Sequence, residues 1–294
     1  MSALTPRAAI RDLPGVIALI ALAAMCVTPL VWLFLAPGRS DSALVKEAPI
    51  ALGTFAGYAQ AWENLASFQG GIIYQWMLNT VIYTAIILLV GVVVSVAAGY
   101  ALAVTRFPGR RLVLLLTLVA MVVPASALVL PLFLEMSVLR LVNNPLSFLL
   151  PSMFFPFGVY LAFIHFSTNL PREILEAARI DGCSEWLALR RIALPLAKPL
   201  IGLVTFFLFV ASWTNYFLPF VMLSSAQKYP LALGLSALLT GTPAMNPQLG
   251  GSMLPIHRPE VALAGLLTVV PIAVVFLFAQ RHLARGILAG AVKD

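Results

Sequence analysis

The sequence predicts an all-α polytopic membrane protein with six crossings, and three features lead there. The chain is 61% hydrophobic and 10% charged, with a mean hydropathy of +1.00, whereas soluble globular domains are roughly a quarter charged. Stretches 14–36, 76–105, 112–134, 146–168, 199–223 and 261–280 each run for at least 20 residues without Asp, Glu, Lys or Arg, about what a helix needs to cross ~30 Å of hydrocarbon. Lys and Arg are unevenly shared between the segments on the two sides: thirteen lie on one side and five on the other. Hydrocarbon offers backbone groups no partner, so the runs must be helical.

The first run follows Arg7 and Arg11 and could be mistaken for a secretory signal. At 23 residues, without a clear small-residue cleavage site, it reads instead as a retained helix. The later runs carry Pro124, Pro156 and Pro271 in their middles. Neighbouring helices can satisfy the backbone groups a proline frees, so these crossings are expected to pack on each other. The basic residues cluster before the first run, between the second and third, between the fourth and fifth, and after the sixth, which places both termini in the cytoplasm. The division that follows is a cytoplasmic segment 1–13, a membrane domain 14–280 with a cytoplasmic loop 169–198, and a cytoplasmic tail 281–294.

The net charge of +7 is then mainly a topology signal; no basic face interleaved with aromatics suggests nucleic acid. Cys26 lies in the first run and Cys183 in a cytoplasmic loop, so neither a disulfide nor a metal site is expected. His165, His257 and His282 have no ligand spacing. A phosphate-binding loop needs Gly-Lys, and none of Lys46, Lys198, Lys228 and Lys293 follows a glycine. With no paired carboxylates or Ser-His-acid set in the apolar runs either, the chain reads as a transport subunit rather than an enzyme.

Loop 169–198 is charged yet not linker-like. In NLPREILEAARIDG, Pro171 suits a first helical turn, Glu173 the positive end of the helix dipole, and Ile174, Leu175 and Ala178 mark an apolar stripe. Gly182 ends that helix; Ser184 caps a second, containing Trp186, Leu189 and Ile192, which Leu194 and Pro195 close. Helices this short are marginal alone in water and need a surface to dock on. The loop by itself leaves open an amphipathic segment lying on lipid headgroups.

Glu176, Ala177, Ala178, Gly182, Ile192, Leu194 and Pro195 together meet the pattern E-A-A, three residues, G, nine residues, I, one residue, L-P. This resembles the signature loop of the membrane subunits of bacterial ABC importers that work with an extracytoplasmic binding protein. WMLNTVIYT (76–84), GYALAVTRFPGRR (99–111), LPLFLEMSVLRLVNNPLSFLLP (130–151) and QRHLARGILAGAVKD (280–294) resemble the carbohydrate-type permeases, in particular the smaller maltose-transporter membrane subunit.

The resemblance implies a type I ABC importer permease fold in the bacterial inner membrane. It implies a second, homologous permease subunit, two ATPase subunits and an extracytoplasmic solute-binding protein, with ATP and Mg²⁺ held by the ATPase and no cofactor on this chain. Glu176, Ala177, Ala178, Arg179, Asp181 and Gly182 are expected at the ATPase contact, and the solute is expected to be a sugar or related polyhydroxylated molecule. Glycerol phosphate is the alternative within the class. An ion-coupled secondary transporter would need buried acids or histidines, and only His165 qualifies.

Asn79, Tyr83, Trp213 and Asn215 are polar or aromatic groups inside apolar runs. Each could line a sugar path or simply bond one helix to another, and interhelical bonding is the commoner use. In the resembled maltose system the companion subunit holds the sugar, which leaves this chain the cavity wall and gate. Of the two extracytoplasmic loops, 37–75 is moderately aromatic, and 224–260 is rich in Gly and Pro. By the resemblance, Asn246, Gln248 and Gly250 in the second are candidate contacts for the binding protein.

Overall fold

A computed structural model describes residues 6–241 and 256–291, with side chains for 14–241 and 256–280. Among the described residues every regular element is helical. The chain divides into two compact units, Met1–Gly71 with Ala237–Leu267 and Ile72–Ser236 with Thr268–Asp294.

In the first unit, α1 (Pro6–Leu35) opens the chain. The stretch Pro14–Gly38 is long and apolar enough to cross a membrane. Residues 14–31 are exposed throughout, their apolar side chains left to lipid or to another chain. The loop expected over 37–75 contains two helices, α2 (Asp41–Lys46) and α3 (Phe55–Ser67), in addition to its aromatics. Each begins at a hydroxyl cap: the Ala43 amide donates to Ser40 Oγ at 3.2 Å and the Gly57 amide to Thr54 Oγ1 at 3.0 Å. Buried Glu260 accepts from Asn64 Nδ2 at 2.7 Å and from the His257 amide at 2.9 Å. Arg258 pairs with Asp41, Nη1 to Oδ2 2.8 Å.

The second unit is built on α4 (Ile72–Val104), followed by α5 (Arg110–Val122), α6 (Ala125–Val138), α7 (Leu146–Ser152) and α8 (Pro156–Asn169). After these come α9 (Arg172–Ile180), α10 (Glu185–Ala188), α11 (Leu194–Leu196), α12 (Lys198–Trp213), α13 (Phe217–Met222) and the start of α14 (Leu231–Gly241). The later part of α15 (Arg258–Ala291) completes it.

Four stretches of the described chain are long and apolar enough to cross as they stand, and six are reached if each of two bent pairs counts as one crossing. The third expected run, 112–134, is not one straight helix: α5 and α6 meet at 110° around Val123 and Pro124. A proline lacks an N–H and pushes the residue before it out of the helical region, and Val123 is extended, with φ −66° and ψ 124°. The fifth run, 199–223, ends early at Trp213, and a bend of 83° separates residues 185–196 from α12. Pro156 begins a helix rather than interrupting one, while Pro271 stays inside α15.

What holds α4 to α8 is a seam of small residues. Gly91, Ser95 and Gly99 recur every fourth residue along α4; Ser95 and Gly99 lie opposite Gly158 and Ala162 of α8, while Gly91 lies against Met153 and Leu208. A Cβ on Gly99 would overlap the Ala162 Cβ and stand 2.8 Å from the Val159 carbonyl. Without an oil-water driving force between crossings, such close backbone approach and the dispersion contacts it permits supply the attraction.

Candidate functional site

The base of that helix pair carries the charged loop. Leu170, Leu175, Ala188, Leu189, Ala193 and Ala197 are buried in one cluster with Val96 and Tyr100 of α4 and Ala162 and Phe166 of α8. Leu175, from the loop's apolar stripe, is thus spent on the chain's own bundle, while Ile174 stays exposed. The loop's stiffness comes from its turn. The Cys183 amide donates to the Ala178 carbonyl at 2.8 Å and the Gly182 amide to the Arg179 carbonyl at 3.0 Å. That is the paired bonding of a Schellman motif, and Gly182 occupies its left-handed position at φ +80°. Ser184 Oγ then accepts from the Leu187 amide at 3.3 Å, opening α10.

One part of the expected loop is corrected. Leu194 and Pro195 do not close the second helix: Leu189–Ala193 widens into a π-turn, Leu194–Leu196 adds another, and the break falls at Ala197. Pro195 offers no N–H to the Arg191 carbonyl, and the wider turn, with Leu194 N–H bonded to the Leu189 carbonyl, carries the helix past it.

Replacing Gly182 with a bulky residue is expected to disturb the turn, and the structure locates the difficulty: an added Cβ would meet nothing within 4 Å, but φ is +80°. The cost is in the backbone, about 1–2 kcal/mol for holding an L-residue in the left-handed region. Gly182→Val is accordingly expected to loosen the turn and lower ATP-driven uptake while membrane insertion stays normal; unchanged uptake at equal expression would refute it.

Glu185 ties the element together from behind. Its Oε1 accepts from Arg179 Nε at 2.8 Å and its Oε2 from the Tyr100 hydroxyl at 3.3 Å, joining α9, α10 and α4. The hydrogen bond to Glu185 raises the Arg179 pKa further, so that side chain stays cationic. Beside it lies a groove of about 690 Å³ whose lining includes Arg106, Arg110, Arg172, Arg179, Glu176 and Glu185. Glu176 has no ion-pair partner among the described residues. Glu176, Ala177, Arg179, Asp181 and Gly182 are all exposed and Ala178 is half-buried. Two large apolar side chains that sequence reasoning passed over as contacts point outward here: Ile180 is 87% exposed and Trp186 66%.

The four path candidates do not form one site. Asn79 is buried, donating to the Gln227 carbonyl at 2.8 Å and the Tyr229 carbonyl at 3.0 Å while accepting from Gln75. The Tyr83 hydroxyl donates to the Lys228 carbonyl at 3.2 Å, and Trp213 Nε1 to the Thr268 carbonyl at 3.0 Å. These three bind the chain to itself. Asn215 differs: it lies at the break between α12 and α13 and lines a groove of about 720 Å³. Removing the Asn79 amide strands two carbonyls, so Asn79→Leu is expected to cost about 2 kcal/mol and lower the unfolding temperature in detergent without altering solute selectivity. A selectivity change with unaltered stability would reverse that assignment. Asn246, Gln248 and Gly250 lie outside the described residues.

Comparison with known proteins agrees with this architecture. The chain is 33% identical to the arabinooligosaccharides transport system permease protein AraQ of Halalkalibacterium halodurans, over 92% of this chain and 93% of that one. It is 27% identical to the lactose transport system permease protein LacG of Rhizobium radiobacter over 96% and 98%. To the diacetylchitobiose uptake system permease protein NgcG of Streptomyces coelicolor it is 26% identical over 91% and 84%. Its fold matches a chain in the crystal structure of a bacterial ABC transporter involved in the import of the acidic polysaccharide alginate, with TM-score 0.80 and 21% identity, covering 96% of this chain and 99% of that one. The fold is therefore the type I ABC importer permease fold. The model of binding-protein-dependent transport system inner membrane components matches residues 91–289, and the chain belongs to that family.

Proposed function

We propose that the chain is a permease subunit for ATP-driven import of a sugar or related polyhydroxylated solute, working with an ATPase and an extracytoplasmic binding protein. In this reading it pairs with a second, homologous permease subunit, two ATPase copies seat against the pair, and both termini face the cytoplasm. ATP and Mg²⁺ stay on the ATPase. Arabinooligosaccharides, lactose and diacetylchitobiose in the names of the relatives support the substrate class.

One observation carries the mechanical half: α9 and α10 are fastened to α4 and α8 from behind, and turn Ile180 and Trp186 outward without cover from the described chain. An ATPase that grips this tip, with Glu176, Ala177, Ala178, Arg179, Asp181 and Gly182 around it, moves α4 and α8 as bodies when it closes. A loose linker in the same place would absorb the motion.

The test is uptake by the full importer in proteoliposomes, offered radiolabelled arabinotriose, maltotriose, lactose, diacetylchitobiose and glycerol 3-phosphate. Uptake of at least one of the four sugars, driven by enclosed ATP and needing the binding protein, is expected. Uptake driven by a proton or sodium gradient without ATP would overturn the coupling mode, and uptake of glycerol 3-phosphate alone would overturn the sugar class.

A further inference from the structure

Three prolines interrupt or start helices in the second unit, and their effects converge. A proline cannot donate to the carbonyl four residues before it. For Pro124, Pro156 and Pro219 those carbonyls belong to Ala120, Ser152 and Asn215, and all three residues line the same 720 Å³ groove. Among the described residues none of the three carbonyls accepts a hydrogen bond. Unpaired carbonyls at membrane depth are tolerated only where they face protein or a water-filled cavity.

The rest of the lining narrows the occupant. Phe154, 54% exposed, and Phe217, 40% exposed, present ring surface into the groove. Asn215 adds an amide able to donate and accept, and the one charged lining group is the carboxylate of Glu135. No Lys or Arg lines it, so an anionic solute would meet only repulsion. Acceptor carbonyls for hydroxyl protons, aromatic faces for C–H surfaces and no counter-charge suit a neutral polyhydroxylated molecule.

We infer that this groove is a sugar subsite on the chain itself, lined by the residues of the three unpaired carbonyls, Ala120, Ser152 and Asn215, with Phe154 and Phe217. This rests on the sugar-import reading and goes further, since the resemblance alone assigns sugar contact to the companion subunit. It also accounts for the one path candidate, Asn215, that the chain's own packing leaves unused.

Two measurements on the reconstituted importer test it, with the same four radiolabelled sugars as probes. In the first, Asn215→Leu and Phe217→Leu are each expected to lower sugar imported per ATP hydrolysed roughly fivefold, as loss of about one hydrogen bond or ring contact would. In the second, Asn215→Cys with Cys26→Ala and Cys183→Ala is labelled by a water-soluble maleimide. Labelling that the transported sugar slows supports the subsite; it decides the matter if the leucine variants fail to assemble. A cysteine that never labels, because a companion helix or lipid fills the groove, or one whose labelling ignores sugar, overturns it. If the unaltered importer takes up none of the four sugars, the sugar-import reading falls and this inference with it; normal uptake with insensitive variants removes the inference alone.

Discussion

Ile180→Asp combined with Trp186→Ala is expected to release the ATPase from the permease in detergent, leaving the membrane subunit folded. Both side chains stand outside the cluster that docks the loop, at 87% and 66% exposure, so their replacement leaves Leu175, Leu189 and Ala193 packed as before. At a partner surface the same exposed bulk becomes the buried anchor. Anchors of this kind carry at least about 2 kcal/mol each, roughly a thirtyfold loss of affinity apiece. The measurement is copurification of the ATPase with the tagged permease, alongside the permease's own melting temperature. A normal ratio of ATPase to permease would mean that the grip lies elsewhere on the loop. By contrast, breaking the half-exposed pair Arg179–Glu185 is worth no more than about 1 kcal/mol.

Gly99→Leu is expected to do the opposite, destroying the scaffold rather than its attachment. The added side chain has no room, because what it meets is the Ala162 Cβ and the backbone of α8 near Val159, neither of which can swing away. Overpacking of this kind costs about 3 kcal/mol, enough to shift much of a marginally stable protein out of its native state. Recovery of monodisperse protein in detergent should fall sharply. Gly99→Ala should be milder, and Ala162→Gly in the same chain should return part of the loss, since it removes one of the obstructing atoms. Full recovery of Gly99→Leu would show that α4 and α8 do not depend on this seam.

Helix existence was readable from charge-free length, because hydrocarbon admits few alternatives. The helix-turn-helix of loop 169–198 was readable too, since Pro171, Gly182 and Ser184 are local signals acting within a few residues. Breaks were harder. Pro124 and Pro271 look alike in an apolar run, yet one divides two helices at 110° and the other rides inside α15; a proline's own signal is the same in both. Asn79 and Asn215 are equally alike in sequence, and their difference depends on which backbone lies opposite. The Gly91, Ser95, Gly99 spacing was a signal present in the sequence and not used; it would have paired α4 with a small-residue partner. Ile180 and Trp186 were visible as apolar, but the facing of a helix under ten residues long depends on what it docks against.

The uncovered α1 has a consequence for how the protein stands in its surroundings. Pro14–Gly38, 25 residues, spans about 37 Å at 1.5 Å per residue, against a hydrocarbon layer of ~30 Å. With residues 14–31 free of side-chain interlocking, inclination is the cheapest way to hide the excess length. Where lipid covers this face, bilayer thickness sets the lean of the segment, which then stands more upright in longer-chain lipids; a second chain seated on it would fix the lean instead.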